Sequence, residues 1–159
     1  DAVLIDRYQA ADRAAFAELN RTWLVQYHLL EPQDERQLED PEGHILGPGG
    51  EILVARDGGA LVGSCAVVPH GPGLMGLAKL AVAPSARGRG VGRRLVEESV
   101  AWARGRGVRR LSLASNSQLV AAIRLYESLG FQHRPVPADI GYRSADVYME
   151  LDLSPDPQE

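Results

Sequence analysis

The chain has 159 residues, of which 45% are hydrophobic and 24% charged, with a formal net charge of −4. That length corresponds to about one domain, and the composition excludes a disordered or fibrous chain. The acidic balance argues against nonspecific nucleic-acid binding, which relies on a cationic surface.

Val3 to Tyr8 reads as a first strand. Ala11 to Tyr27 reads as a helix, with Ala15, Leu19, Trp23 and Tyr27 at fourfold spacing. A second helix runs from Pro32, suited to a first helical turn, to about Glu39. It lies in an acidic stretch, Glu31 to Glu42, which is either a solvated face or a lure for a cationic acceptor. After the loop Gly43 to Gly50 come strands at Glu51 to Arg56, Ala60 to Val68 and Leu74 to Val82. Asp57-Gly58-Gly59 and Pro69 to Gly73 form the turns between them. Residues 58 to 78 lack charge, but six glycines and two prolines make them a hairpin rather than a membrane span.

Helical spacing of Val91, Leu95, Val96, Val100 and Ala103 ends at Gly107. Arg110 to Ala114 is a short strand, residues 118 to 129 a helix closed by Gly130, and Phe131 to Val136 and Asp146 to Leu153 the last strands. The expected architecture is one α/β domain over residues 1 to 153, followed by a polar tail at 154 to 159. Its mixed, mostly antiparallel sheet has six to seven strands and helices on both faces. The first residues carry no basic region and apolar stretch of a signal peptide, so the expected location is cytoplasmic, with no membrane partner. Cys65 is the only cysteine, which excludes an internal disulfide and a cysteine-rich metal site.

Charge is unevenly spread. Residues 79 to 110 hold nine of the 17 basic residues against Glu97 and Glu98, a local +7 that leaves −11 elsewhere. Such a block fits either a small polyanionic ligand or a solvated arginine-rich helix face. Within it, the strand Leu80-Ala81-Val82 runs through Pro84 into Arg87-Gly88-Arg89-Gly90-Val91-Gly92-Arg93 and a helix. Unpartnered N–H groups and the helix dipole make a helix start an anion site. Glycines allow close approach, and Arg87 and Arg89 supply charged donors. The alternative is a tight turn with exposed arginines. A Walker loop is excluded because no glycine precedes a lysine. The dinucleotide fingerprint is excluded because the third-glycine position is Arg93 or Leu95.

Arg87-Gly88-Arg89-Gly90-Val91-Gly92 resembles the signature of the GCN5-related N-acetyltransferases (GNAT), Gln or Arg, two residues, Gly, one residue, then Gly or Ala. Leu125-Tyr126-Glu127-Ser128-Leu129-Gly130-Phe131 resembles that family's second hallmark, about 35 residues on. The resemblance implies an acetyl-CoA-dependent N-acetyltransferase acting on a primary amine of a small molecule or peptide by direct attack in a ternary complex, with no metal. It implies that the cofactor's pyrophosphate sits on Arg87, Gly88, Arg89, Gly90, Val91, Gly92 and Arg93. The pantetheine arm pairs with Leu80, Ala81 and Val82, and Tyr126 protonates the leaving thiolate. Similar proteins are often dimers, which leaves a homodimer open.

The sequence departs from the family at two places. Where an asparagine often stands seven residues before the tyrosine, there is Leu119; Asn116 either serves the same purpose or caps the helix. Where family members often carry a carboxylate base, there are Gly76, Ser112 and Ala114. His28, His44, His70, His133, Glu51 and Glu150 are undistinguished substitutes. Deprotonating a lysine-like amine at pH 7 costs roughly 4.6 kcal/mol, but an α-amino group only about 1 kcal/mol. A site with no strong base therefore suits a weakly basic amine, or it relays the proton through water or through a histidine or carboxylate brought in by folding. A noncatalytic acyl-CoA sensor is the alternative that the missing base leaves standing.

Overall fold

The computed structural model describes residues 2 to 154. It has a seven-stranded sheet in the order β1-β2-β3-β4-β5-β7-β6. The strands are β1 (Val3–Arg7), β2 (Glu51–Asp57), β3 (Ala60–Pro69), β4 (Leu74–Val82), β5 (Arg110–Ser115), β6 (Gln132–Arg134) and β7 (Val147–Asp152). The helices are α1 (Arg13–Gln26), α2 (Pro32–Glu39), α3 (Val91–Gly105) and α4 (Val120–Ser128). Only β4 and β5 pair in parallel, as the α3 crossover requires; every other pair is antiparallel. The expected fold class is what the chain adopts. The residues beyond Ser154 in the expected polar tail lie outside the described residues.

The β2–β3 turn places Gly58 and Gly59 at φ 57° and 93°, positions that favour glycine in a tight hairpin. The sheet is buried on both faces, which is why β3 reads as a nearly continuous apolar run. One face carries a core of Leu77, Leu111, Leu113 and Met149 under Val91, Leu95, Val96 and Val100 of α3 and Tyr126 of α4. The other buries Ile52, Val54 and Ala66 under Phe16 and Ala17 of α1, Leu38 of α2 and Ile45. α3 comes close to β3 because residue 63 is glycine: a Cβ there would lie 2.9 Å from Leu95 Cδ1.

Several boundaries differ from the sequence reading. The last hairpin begins with β6 over Gln132–Arg134 rather than running to Val136, because Pro135 and Pro137 offer no N–H to a ladder. The first helix opens with a 3₁₀ turn, Ala10–Asp12. The fourfold stripe is not its buried face: Phe16, Ala17 and Asn20 are buried, while Ala15 is exposed and Leu19, Trp23 and Tyr27 are half-buried. The loop after α2 contains a π-helical turn, Glu42–Leu46, that seats Ile45 in the core.

Candidate active site

Two irregularities open the sheet at one place. β4 pairs with β5 only from Leu74 to Leu77, opposite Arg110 to Leu113; beyond this the strands diverge, and β5 continues against β7. In the same stretch the β3–β4 register slips. Ser64 faces Ala81 and Ala66 faces Ala78, so Lys79 and Leu80 bulge opposite Cys65. Lys79 has φ 57°, a left-handed conformation that costs a lysine roughly 1–2 kcal/mol.

Buried polar groups hold the bulge. Asn20 Nδ2 donates to Ser64 Oγ at 3.0 Å and to Phe16 O at 3.0 Å, and Ser64 Oγ donates to Lys79 O at 2.7 Å. The Lys79 ammonium pairs with Asp34 Oδ1 of α2 at 2.6 Å, both side chains nearly inaccessible. Burial depresses the Lys79 pKa, and Asp34 opposes that shift. The lysine interrupting an otherwise apolar strand was the only sequence signal of this device; its partners Asp34, Ser64 and Asn20 carried none.

The split opens into a cavity of about 190 Å³ that includes Leu80, His70, Lys79, Asn116, Tyr126 and Tyr142 in its walls. Tyr126 reaches it from the α3–α4 face. A helix-terminating motif fixes its position: Phe131 N donates to Tyr126 O at 3.0 Å, Gly130 N to Glu127 O at 3.1 Å, and Gly130 has φ 98°. The Phe131 ring packs edge-on against Tyr126 at 5.8 Å. This is the physical content of the Leu-Tyr-Glu-Ser-Leu-Gly-Phe segment: a tyrosine locked two residues before the helix end. Its hydroxyl has no hydrogen-bond partner among the described residues, and burial raises its pKa above the ordinary phenol value. Cys65, close by, is fully buried, with its thiol pushed up to about 11 by burial, so it stays protonated and unreactive at neutral pH.

Loop residues 84 to 92 follow the split. Gly88 and Gly90 have φ 75° and 74°, and a Cβ on either would meet nothing within 4 Å. Glycine is therefore dictated by backbone conformation while the space above stays open. Arg94 N makes the first helical bond, to Gly90 O at 3.1 Å, so the N–H groups of Val91, Gly92 and Arg93 lack helical acceptors. The Val91 side chain belongs to the core. Gly92 lies 3.7 Å, as Cβ, from Val82 and Leu125, ordinary contact that alanine would tolerate.

The arginines do not form one cluster. Arg87 lies 5.2 Å over the Trp23 ring and donates from Nε to Val82 O at 3.3 Å; with Val82 it lines a neighbouring cleft of about 250 Å³ against α1. Arg89 pairs with Asp57 at 3.1 Å, and Arg93 donates to Ser128 Oγ at 2.7 Å. Arg104 in the last turn of α3, with Arg106, Arg109 and Arg110 beyond it, lies at the other end of the helix, roughly 22 Å away for a helix of this length. Ala81 is buried in the β3–β4 ladder, whereas Leu80 reaches the cavity. Asn116 donates to Ser144 O at 2.7 Å and accepts from Gln118 N at 3.0 Å. The helix cap position falls to Leu119. Four carboxylates of the acidic stretch, Glu31, Asp34, Glu35 and Glu42, bind partners within the fold. Glu35 pairs with Arg21 and Glu42 with Arg13 and Tyr8, while Glu31 accepts from Arg143 N and from Ser144 N and Oγ.

The chain is similar to known proteins both in sequence and in fold. The acetyltransferase (GNAT) family model matches residues 13–131. An N-acetyltransferase of Schizosaccharomyces pombe, itself described as uncharacterized, is 35% identical over 126 residues, 74% of this chain and 73% of its own length. The N-alpha-acetyltransferase RimI of Mycobacterium tuberculosis is 38% identical over 100 residues, 61% of this chain and 57% of its own length. In three dimensions the chain is similar to a phosphinothricin acetyltransferase of Sinorhizobium meliloti, solved in complex with AcCoA. The TM-score is 0.81 at 21% identity, over 100% of this chain and 92% of that one. The chain belongs to the acetyltransferase (GNAT) family and is an acetyltransferase.

Proposed function

We propose that the protein transfers acetyl from acetyl-CoA to a primary amine by direct attack within a ternary complex. The observation that carries this reading is the cavity at the β4–β5 split, with Tyr126 presenting a hydroxyl that no group among the described residues engages. Acetyl-CoA fits the chain's own groups. The N–H groups of residues 91 to 93 receive the pyrophosphate, Gly88 and Gly90 leave it room, and the Leu80–Val82 edge, freed of β5, pairs with the pantetheine amides. The thioester then lies beside Tyr126.

Tyr126 holds its proton because burial disfavours the phenolate. A thiolate leaving beside it is disfavoured by the same burial, so its affinity for a proton rises alongside that of the phenol. Proton transfer from Tyr126 to sulfur as the C–S bond breaks is therefore not penalised by burial. An acyl-cysteine route finds no support, since Cys65 is buried and protonated. Four of the carboxylates in the acidic stretch are engaged within the fold, which weakens that stretch as a lure for polycations. A weakly basic α-amino group, the acceptor class in the name of the RimI relative, suits the site on proton-affinity grounds.

The test is thiol release from acetyl-CoA over a panel of amino acids, peptides, polyamines and aminoglycosides. Amine-dependent release with one acetylated product per thiol, and intersecting initial-rate lines, is the expected result. Tight acetyl-CoA binding with no release from any amine would identify a sensor instead.

A further inference from the structure

The sequence offers no carboxylate base at Gly76, Ser112 or Ala114, but the space a side chain at residue 76 would occupy is filled. His70, in the β3–β4 turn, folds back over β4: a Cβ built on Gly76 would overlap its Nε2 and lie 2.6 Å from its Cδ2. Turn geometry sets this return. Leu74 N donates to Gly71 O at 3.0 Å, His70 N to Leu74 O at 2.9 Å, and Gly71 and Gly73 take φ 122° and 73°. Glycine at 76 is thus the complement of histidine at 70.

Gly76 pairs with Ser112 in the last rows before the split, on the face opposite α3 and α4. The imidazole therefore borders the cavity that Tyr126 enters from the other face. Around His70, the titratable groups on neighbouring elements are Lys79 on β4, Asp34 on α2, Tyr142 in the segment before β7, and Tyr148 and Glu150 on β7. Lys79 and Asp34 neutralise each other, and Glu150 faces Arg110 and Arg134 at 3.9 and 3.6 Å. None of them bonds to the imidazole, and partial burial alone lowers its pKa, leaving it neutral and able to accept at pH 7. The outer edge of His70 is exposed, which gives an accepted proton a way to solvent.

We infer that His70 is the general base of the acetyl transfer, standing in the place of the carboxylate that Gly76 lacks. It takes one proton from the acceptor ammonium. The neutral amine nitrogen then attacks the thioester carbonyl carbon, the C–S bond breaks, and sulfur takes the proton of Tyr126. The amide nitrogen returns its extra proton to the phenolate, and His70 releases its own to water. This assignment rests on the acetyl-transfer reading above.

The experiment compares wild type, His70→Ala and the double variant His70→Ala/Gly76→Glu, using the best amine of the panel across pH 5 to 9. Expected for His70→Ala is a fall in kcat/KM of about 10²- to 10⁴-fold at pH 7, with CoA affinity and Tm unchanged. The wild-type rate loss below the imidazole pKa should disappear, and added imidazole should restore part of the rate. Gly76→Glu, given room by the alanine, should recover activity with a carboxylate-like limb at lower pH. An unchanged acid limb in His70→Ala, or a lost rate that neither imidazole nor Gly76→Glu restores, would overturn the assignment. A wild-type protein that binds acetyl-CoA but acetylates no amine would overturn the underlying reading instead, and His70 with it.

Discussion

Tyr126 combines a rigid backbone with an unengaged hydroxyl, and these two facts separate its structural and chemical contributions. Tyr126→Phe keeps the ring, its contact with Phe131 and the helix termination, and it leaves no buried partner unsatisfied. The expected outcome is an unchanged Tm and CoA affinity with kcat reduced about 10²- to 10⁴-fold, measured by calorimetry and thiol release. Full turnover at all pH values would remove its role as the acid. The loop glycines divide in the same way. Gly90→Val forces a β-branched residue to φ 74° and fills open space above the helix start, so acetyl-CoA affinity should fall at least tenfold in a titration. Gly92→Ala should bind normally, because its Cβ makes only ordinary contact.

At the scale of elements, what the sequence makes legible is what local pattern controls: the hairpin turns, the α3 stripe, the helix stop at Gly130. What it hides depends on the third dimension. The α1 stripe of Ala15, Leu19, Trp23 and Tyr27 is periodic, yet Phe16, Ala17 and Asn20 face the sheet, and Ala15, Leu19 and Trp23 flank the cleft by Arg87. No spacing rule links His70 to Gly76, because their contact depends on how the β3–β4 turn folds back. The bulge at Lys79 is likewise a product of α1, α2 and β3 acting together. Its ion pair with Asp34 ties α2 to β4, and breaking one side strands the other. Asp34→Ala should cost about 3–5 kcal/mol in urea denaturation, whereas the apolar pair Asp34→Leu/Lys79→Met should restore much of that loss.

Across the whole molecule, the +7 block does not gather into one cationic cluster, and part of the −11 remainder is engaged within the fold. Arginines of the block sit at both ends of α3, and four carboxylates of the 31 to 42 stretch bind partners within the fold. This makes the fold acid-sensitive. The hydrogen bond from Arg56 holds Asp12 below its ordinary pKa, and that from Tyr8 does the same for Glu42. Groups with lowered folded values add stability that is full above the unfolded values, near 4, and is lost as pH falls through the folded ones. Tm should therefore decline below about pH 4, and Asp12→Asn should flatten that decline; a decline unaltered by the substitution would show that Asp12 is not among its sources.

The central claim is that the β4–β5 split receives the thioester of acetyl-CoA beside Tyr126, and a crystal structure of the complex tests it most directly. The predicted complex has the pyrophosphate on the N–H groups of residues 91 to 93, the pantetheine against Leu80–Val82, and the CoA sulfur within hydrogen-bond reach of Tyr126 Oη. CoA bound with its sulfur outside the split, away from Tyr126, would contradict it.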